Sequence, residues 1–130
     1  MGSETNKPAL PVLNADQVMR DMNDDGEIYR EIAQVFLEDA LVQRARLTAA
    51  GGDRDAAVAA LHEVANSLGI IGASRGEQVV RLAEQRLLGG AAEDAIGATV
   101  LTAIAALDEA QQALQSWLYG SADPGMPEAS

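Results

Sequence analysis

The 130-residue chain contains no cysteine, which excludes disulfide cross-links and thiolate metal sites and fits a reducing compartment. Aromatic residues make up 3% of it, and with few β-branched residues beside the alanines and leucines the composition favours helix over strand. There is no run of about 18 apolar residues, the length a membrane-spanning helix needs. The opening MGSETNKPALP lacks the apolar core of a secretion signal. The cytoplasm is the expected compartment, without a membrane partner. Positive charge is also short. Nine Lys and Arg against 20 Asp and Glu leave a net charge of −11, which repels phosphate backbones and argues against nucleic acid as a partner. Histidine occurs once, at His62.

What is present suits one all-α domain, since 48% hydrophobic residues supply a core of useful size. Residues 1–12, with Pro8 and Pro11, and residues 119–130, which include GSADPGMPEAS, hold little to pack and read as flexible tails. Between them, residues 13–118 divide into five helical segments. Asn14 with Gln17 marks the start of a short helix ending near Met22, and Asp24 with Glu27 opens a longer one. The second helix is expected to bury Ile28, Ile32, Val35, Phe36 and Leu47 and to stop at Gly51 and Gly52. Asp53 caps the third, which Gly72 ends; Ser74 with Glu77 forms a capping box for the fourth, with Val79, Val80, Ala83 and Leu87 inward. The last helix places Ile96, Val100, Ala103, Leu107, Ala110, Leu114 and Trp117 on one seam and should be the longest. Four such amphipathic helices with short connections imply an antiparallel four-helix bundle, with the short additional N-terminal helix closing one end.

Two stretches invite chemistry. Asp21, Asn23, Asp25 and Gly26 match the opening of a calcium loop, but the twelfth place, which should supply a bidentate glutamate, is the apolar Ile32. Asx and glycine residues at a helix start satisfy exposed backbone groups without any ion, so no calcium site is assigned. The other stretch is LHEVANSLGIIGA, residues 61–73. Leu61, Val64, Leu68 and Ile71 form its buried stripe, and at 100° per residue His62 lies about 140° from the centre of that stripe, facing water. Around it Val58, Ala59, Ala65, Asn66 and Gly69 are small or uncharged, a bare surface that another protein can approach. One histidine without cysteine makes a poor metal site, so none is assigned, and a small bundle offers no evident hydrolase pocket. A neutral imidazole is, however, a competent nucleophile near pH 7.

These residues resemble the histidine-containing phosphotransfer (HPt) domains of bacterial-type phosphorelays, whose pattern runs approximately His-x-Leu-Lys-Gly-Ser and then Gly-Ala. In this sequence it places the phosphoacceptor on His62, the apolar position on Val64, the serine on Ser67 and the Gly-Ala pair on Gly72 and Ala73. Upstream, DDGEIYREIAQVFLEDA is similar to the family's second helix, with its phenylalanine at Phe36, and Glu84 falls where the fourth helix often has a glutamate. The resemblance implies a phosphocarrier, not a complete enzyme, that takes a phosphoryl group from a receiver-domain aspartate and passes it to another. It implies a response-regulator receiver domain and a hybrid histidine kinase as partners, with Mg²⁺ on the receiver and no cofactor bound by this chain. The family's lysine and glycine are here Ala65 and Asn66. Asn66, with Ser67, becomes the candidate phosphoryl support, because an amide can donate to a phosphoryl oxygen. Val58, Ala59, Ala65, Asn66 and Gly69 become the candidate partner surface. A second reading keeps the same face as a docking site for a receiver or kinase without phosphorylation.

Overall fold

Buried residues recur at alternating spacings of four and three along the long helices, and this shared period governs how they assemble. The computed structural model describes residues 10–120. They form α1 (Ala15–Asp21), α2 (Gly26–Ala50), α3 (Arg54–Ile71), α4 (Ser74–Leu88), a 3-10 turn (Glu93–Ala95) and α5 (Ile96–Tyr119), with no strand among the described residues. In α2 the buried set is Tyr29, Ala33, Phe36, Ala40, Gln43, Leu47 and Ala50; in α3 it includes Ala57, Leu61, Val64, Leu68 and Ile71. In α5 Ile96, Val100, Ala103, Leu107, Ala110 and Leu114 follow the same rule. A repeat averaging 3.5 residues keeps one seam turned toward the neighbours along a whole helix. Cross-helix bonds run in opposite order on the paired helices: Gln43 and Arg46 of α2 meet Ser67 and Glu63 of α3, while Arg30 and Arg44 of α2 meet Leu118 and Asp108 of α5. The product is an all-α bundle of five helices.

The expected stripe of α2 needs correction. Ile28 and Val35 are 45% and 55% exposed, and Ile32 is half-buried; Tyr29 and the alanines at 33, 40 and 50 take the inward positions instead. Large aliphatic residues mark a hydrophobic face by eye, but alanine fills a seam where helices approach closely. The start of α2 also moves by one residue. Asn23 and Asp24 both adopt left-handed backbone angles, φ 60° and 59°, which Asn and Asp tolerate better than most residues. Asp25 is therefore the cap, accepting hydrogen bonds from the Glu27 and Ile28 amides. At 25 residues against 24, α2 rather than α5 is the longest helix. The capping box at Ser74 is not formed: Ala73 occupies the cap position with no side-chain bond, and Glu77 turns elsewhere.

The helical body reaches slightly past residues 13–118. The Leu10 and Pro11 carbonyls accept hydrogen bonds from the Arg75 side chain and amide, and Tyr119 continues α5. The rest of the expected tails, residues 1–9 and 121–130, lies outside the described residues. Helix α1 closes the end of the bundle where α3 turns into α4. There Gly72 has φ 82°, and a Cβ on it would lie 2.7 Å from Val18 and 2.9 Å from the Asn14 carbonyl. Left-handed backbone and close packing both require glycine at this turn.

At the same end Tyr29 is fully buried and its hydroxyl donates to the Ile71 carbonyl at 2.6 Å, satisfying one of the orphan carbonyls at the end of α3. Trp117 meets the ring edge-on, with centroids 4.9 Å apart. Burial pushes the Tyr29 phenol up from 10.0 to about 12. The neutral phenol is the form the fold favours, so its contribution is complete below pH 10 and is lost as pH rises through about 12. Tyr29→Phe should cost about 1–2 kcal/mol at neutral pH by leaving that carbonyl unpaired. Urea melts at pH 7 and 11 check this: the native protein should lose more stability than the variant between the two, and parallel losses would count against the assignment.

Candidate functional site

The site begins with the cap of α3. Asp53 accepts a hydrogen bond from the Ala56 amide, and from there the stripe through Leu61, Val64, Leu68 and Ile71 turns inward with no exposed surface. The opposite ridge is thereby set toward solvent, and it carries His62, whose side chain is 58% exposed. Helix α4 packs antiparallel along this ridge, anchored by Val80, Ala83 and Leu87. From it Glu84, only 15% exposed, reaches the imidazole: Nδ1 lies 3.1 Å from Oε2. With Glu84 ionised, the carboxylate can only accept, which makes Nδ1 the donor of this contact. In the neutral ring that leaves the lone pair on Nε2, the nitrogen turned away from Glu84. The contact with Glu84 thus orients a ring that is 58% exposed.

One turn further along, the Arg81 guanidinium donates from Nη2 to Asn66 Oδ1 at 3.3 Å and from Nε to Glu77 Oε2 at 3.0 Å. Since a guanidinium has no acceptor, the Asn66 oxygen faces it, and among the described residues the amide NH₂ makes no hydrogen bond. Glu77 lies over Gly69, where an added Cβ would come within 2.9 Å of its carboxylate. His62 with Glu84, Asn66 with Arg81 and Gly69 with Glu77 therefore form a three-rung ladder between α3 and α4.

The sequence-derived candidates separate on this geometry. His62, Ala59 and Asn66 are exposed, and Val58 and Gly69 are half-buried on the same face. The bare space above Gly69 is filled by the chain's own Glu77. Ala65 is fully buried and cannot form part of an exposed partner surface: four residues from both Leu61 and Gly69, it turns beneath α4. Ser67 is not brought to His62. It lies five residues on, about 140° around the helix, where its hydroxyl accepts from Gln43 Nε2 of α2 at 2.7 Å. Arg81 and Glu77 are additions that a reading of α3 alone does not reveal. So is an apolar groove of about 370 Å³ on the α2–α3 side, lined by Val35, Phe36, Ile70 and Ile71 and rimmed by Glu31 and Asp39.

No protein-family model matches the chain, and no curated protein does. Among solved structures, the HPT domain of the Hpt sensor hybrid histidine kinase from Shewanella is similar, with a TM-score of 0.71, 84% of this chain and 95% of that one covered, and 15% sequence identity. At that identity the likeness is one of fold.

Proposed function

We propose that this chain is a phosphocarrier of the HPt type, an antiparallel four-helix bundle with His62 as its phosphoacceptor. The observation that carries the reading is the Nδ1–Glu84 contact, which leaves Nε2 as the lone-pair nitrogen of the only histidine, on a side chain that is 58% exposed. The fold shared with an HPT domain supports it. In the proposed step Nε2 attacks the phosphorus of a receiver-domain aspartyl phosphate in line. The Nε2–P bond forms as the P–O bond breaks, and its electron pair leaves with the aspartate carboxylate. The ring keeps its Nδ1 proton and becomes positive, a charge that Glu84 faces and stabilises. The reverse step returns the phosphoryl group to a second receiver. The Mg²⁺ that neutralises the oxygens belongs to the receiver, and Val58, Ala59 and Asn66 give that partner its approach.

The test is transfer itself. Incubated with a phosphorylated receiver domain, the chain should gain one phosphate that acid removes and base does not, and lose it when a second, unphosphorylated receiver is added. Docking to the receiver with no label acquired would contradict the carrier function and favour the unphosphorylated docking module.

A further inference from the structure

The phosphoryl group on His62 would enter an acidic neighbourhood. Glu84 lies against the ring, Glu63 is its neighbour in sequence, Glu77 lies two turns along, and the chain as a whole carries −11. Beyond Arg54 in its first turn, α3 contains no Lys or Arg, and Ala65, where the resembling pattern has its lysine, is buried beneath α4. Two cations from other helices border the ridge. Arg46 of α2 pairs with the Glu63 carboxylate, on the side of α3 that faces α2. Arg81 of α4 is likewise paired with a carboxylate, Glu77 at 3.0 Å, but only through Nε; its Nη2 donates to the uncharged Asn66 oxygen at 3.3 Å, one turn from His62, and among the described residues its Nη1 makes no hydrogen bond. Asn66 follows His62 by four residues, so their Cβ atoms are about 6 Å apart. Half-exposed and seated at Asn66, the Arg81 guanidinium stands beside the ridge that carries His62.

Resting on the phosphoacceptor reading of His62, we infer that Arg81 is the cation of the phosphoryl site, supplied from α4 in place of one from α3. Glu77 and Asn66 hold it in reserve, with Gly69 leaving the space in which Glu77 lies. When Nε2 is phosphorylated, the guanidinium exchanges its neutral acceptor for a dianionic one, which is the stronger partner. The Asn66 amide, released from Arg81, donates to the same oxygens or to water. Arg81 thereby stabilises the phosphohistidine and offsets the repulsion from Glu84 and Glu63.

Three variants of the full chain test this: Arg81→Gln, Arg81→Lys and Arg46→Gln, each measured for uptake from a phosphorylated receiver, phosphohistidine lifetime in isolation and melting temperature. Arg81→Gln should slow uptake and shorten the lifetime by about tenfold, the effect of losing one charge-assisted hydrogen bond. Arg81→Lys should restore a substantial part of both, and Arg46→Gln, which changes net charge equally, should leave the lifetime as in the native protein. Native uptake and lifetime in Arg81→Gln, even with a lowered melting temperature, would make the ladder purely structural and overturn the inference. Equal losses in Arg46→Gln and Arg81→Gln would also overturn it, by reducing the effect to net charge. If the native chain takes up no phosphate, it is the phosphoacceptor reading that fails, and the two failures are distinguishable.

Discussion

His62→Gln should abolish all acid-labile, base-stable phosphorylation from a receiver while leaving the helical fold in place. The side chain is 58% exposed and its one hydrogen bond among the described residues is with Glu84, so the thermodynamic cost should stay under about 1 kcal/mol, as for exposed ion pairs. Glutamine keeps the polarity and much of the reach of the imidazole but has no nucleophilic nitrogen, so the chemistry is removed with the surface nearly unchanged. Far-UV circular dichroism checks the fold, and labelled phosphate checks transfer. Phosphate retained on another residue would remove His62 from the account, and collapse of the fold would show that the imidazole is structural.

The opposite result is expected one and a half turns along the same helix. Leu68 has no exposed surface, and its side chain lies against Gly76 of α4, within 3.4–3.7 Å of where a Cβ on that glycine would stand. Leu68→Asp places an unpaired carboxylate there, and desolvating it without a partner costs several kcal/mol. Against a total stability of 5–15 kcal/mol for a typical domain, a loss above about 4 kcal/mol unfolds or severely loosens the bundle. Glu63→Ala, on the exposed ridge, removes only the surface contact to Arg46 and should cost under about 1 kcal/mol. Melts of the two variants compare the phases of the helix directly, and equal melting would move the buried stripe and the exposure of His62 with it.

Why one helix was legible and another was not follows from the residues that carry each stripe. In α3 the inward positions are Leu61, Val64, Leu68 and Ile71, large apolar side chains at helical spacing, and they set the exposure of His62 correctly. In α2 the inward positions include four of small or polar type, Ala33, Ala40, Gln43 and Ala50, while Ile28 and Val35 point outward. Hydrophobicity alone then misplaces the seam by one residue, because close helix approach selects for size as well as polarity. The buried Ala65 is the same lesson in α3: a small residue reads as bare surface until the neighbouring helix is placed over it.

The α4 half of the site had a signal that α3 by itself does not show. Only Gly72 and Ala73 separate α3 from α4, and two antiparallel helices joined so tightly must set residues equidistant from the turn side by side. Counting outward from Ala73 brings Glu84 to His62 and Glu77 to Gly69, and sets Arg81 one residue out of step with Asn66, which its long side chain spans. What counting does not give is the hydrogen bonding: that Glu84 takes Nδ1 and that Arg81 selects the oxygen of Asn66 depend on rotamers. Ser67 shows the limit from the other side, since a motif position gave it a role beside the phosphoryl group and its helical phase sends it to Gln43.

The central claim is that one atom, Nε2 of His62, accepts the phosphoryl group while Glu84 keeps the proton on Nδ1. Its most direct test is nuclear magnetic resonance of the chain labelled with ¹⁵N in its one histidine, recorded before and after phosphorylation by a receiver. A one-bond coupling between phosphorus and Nε2, with Nδ1 protonated throughout, is the predicted result. Coupling to Nδ1 instead, or a phosphorylated chain whose histidine nitrogens show no coupling to phosphorus, would contradict it.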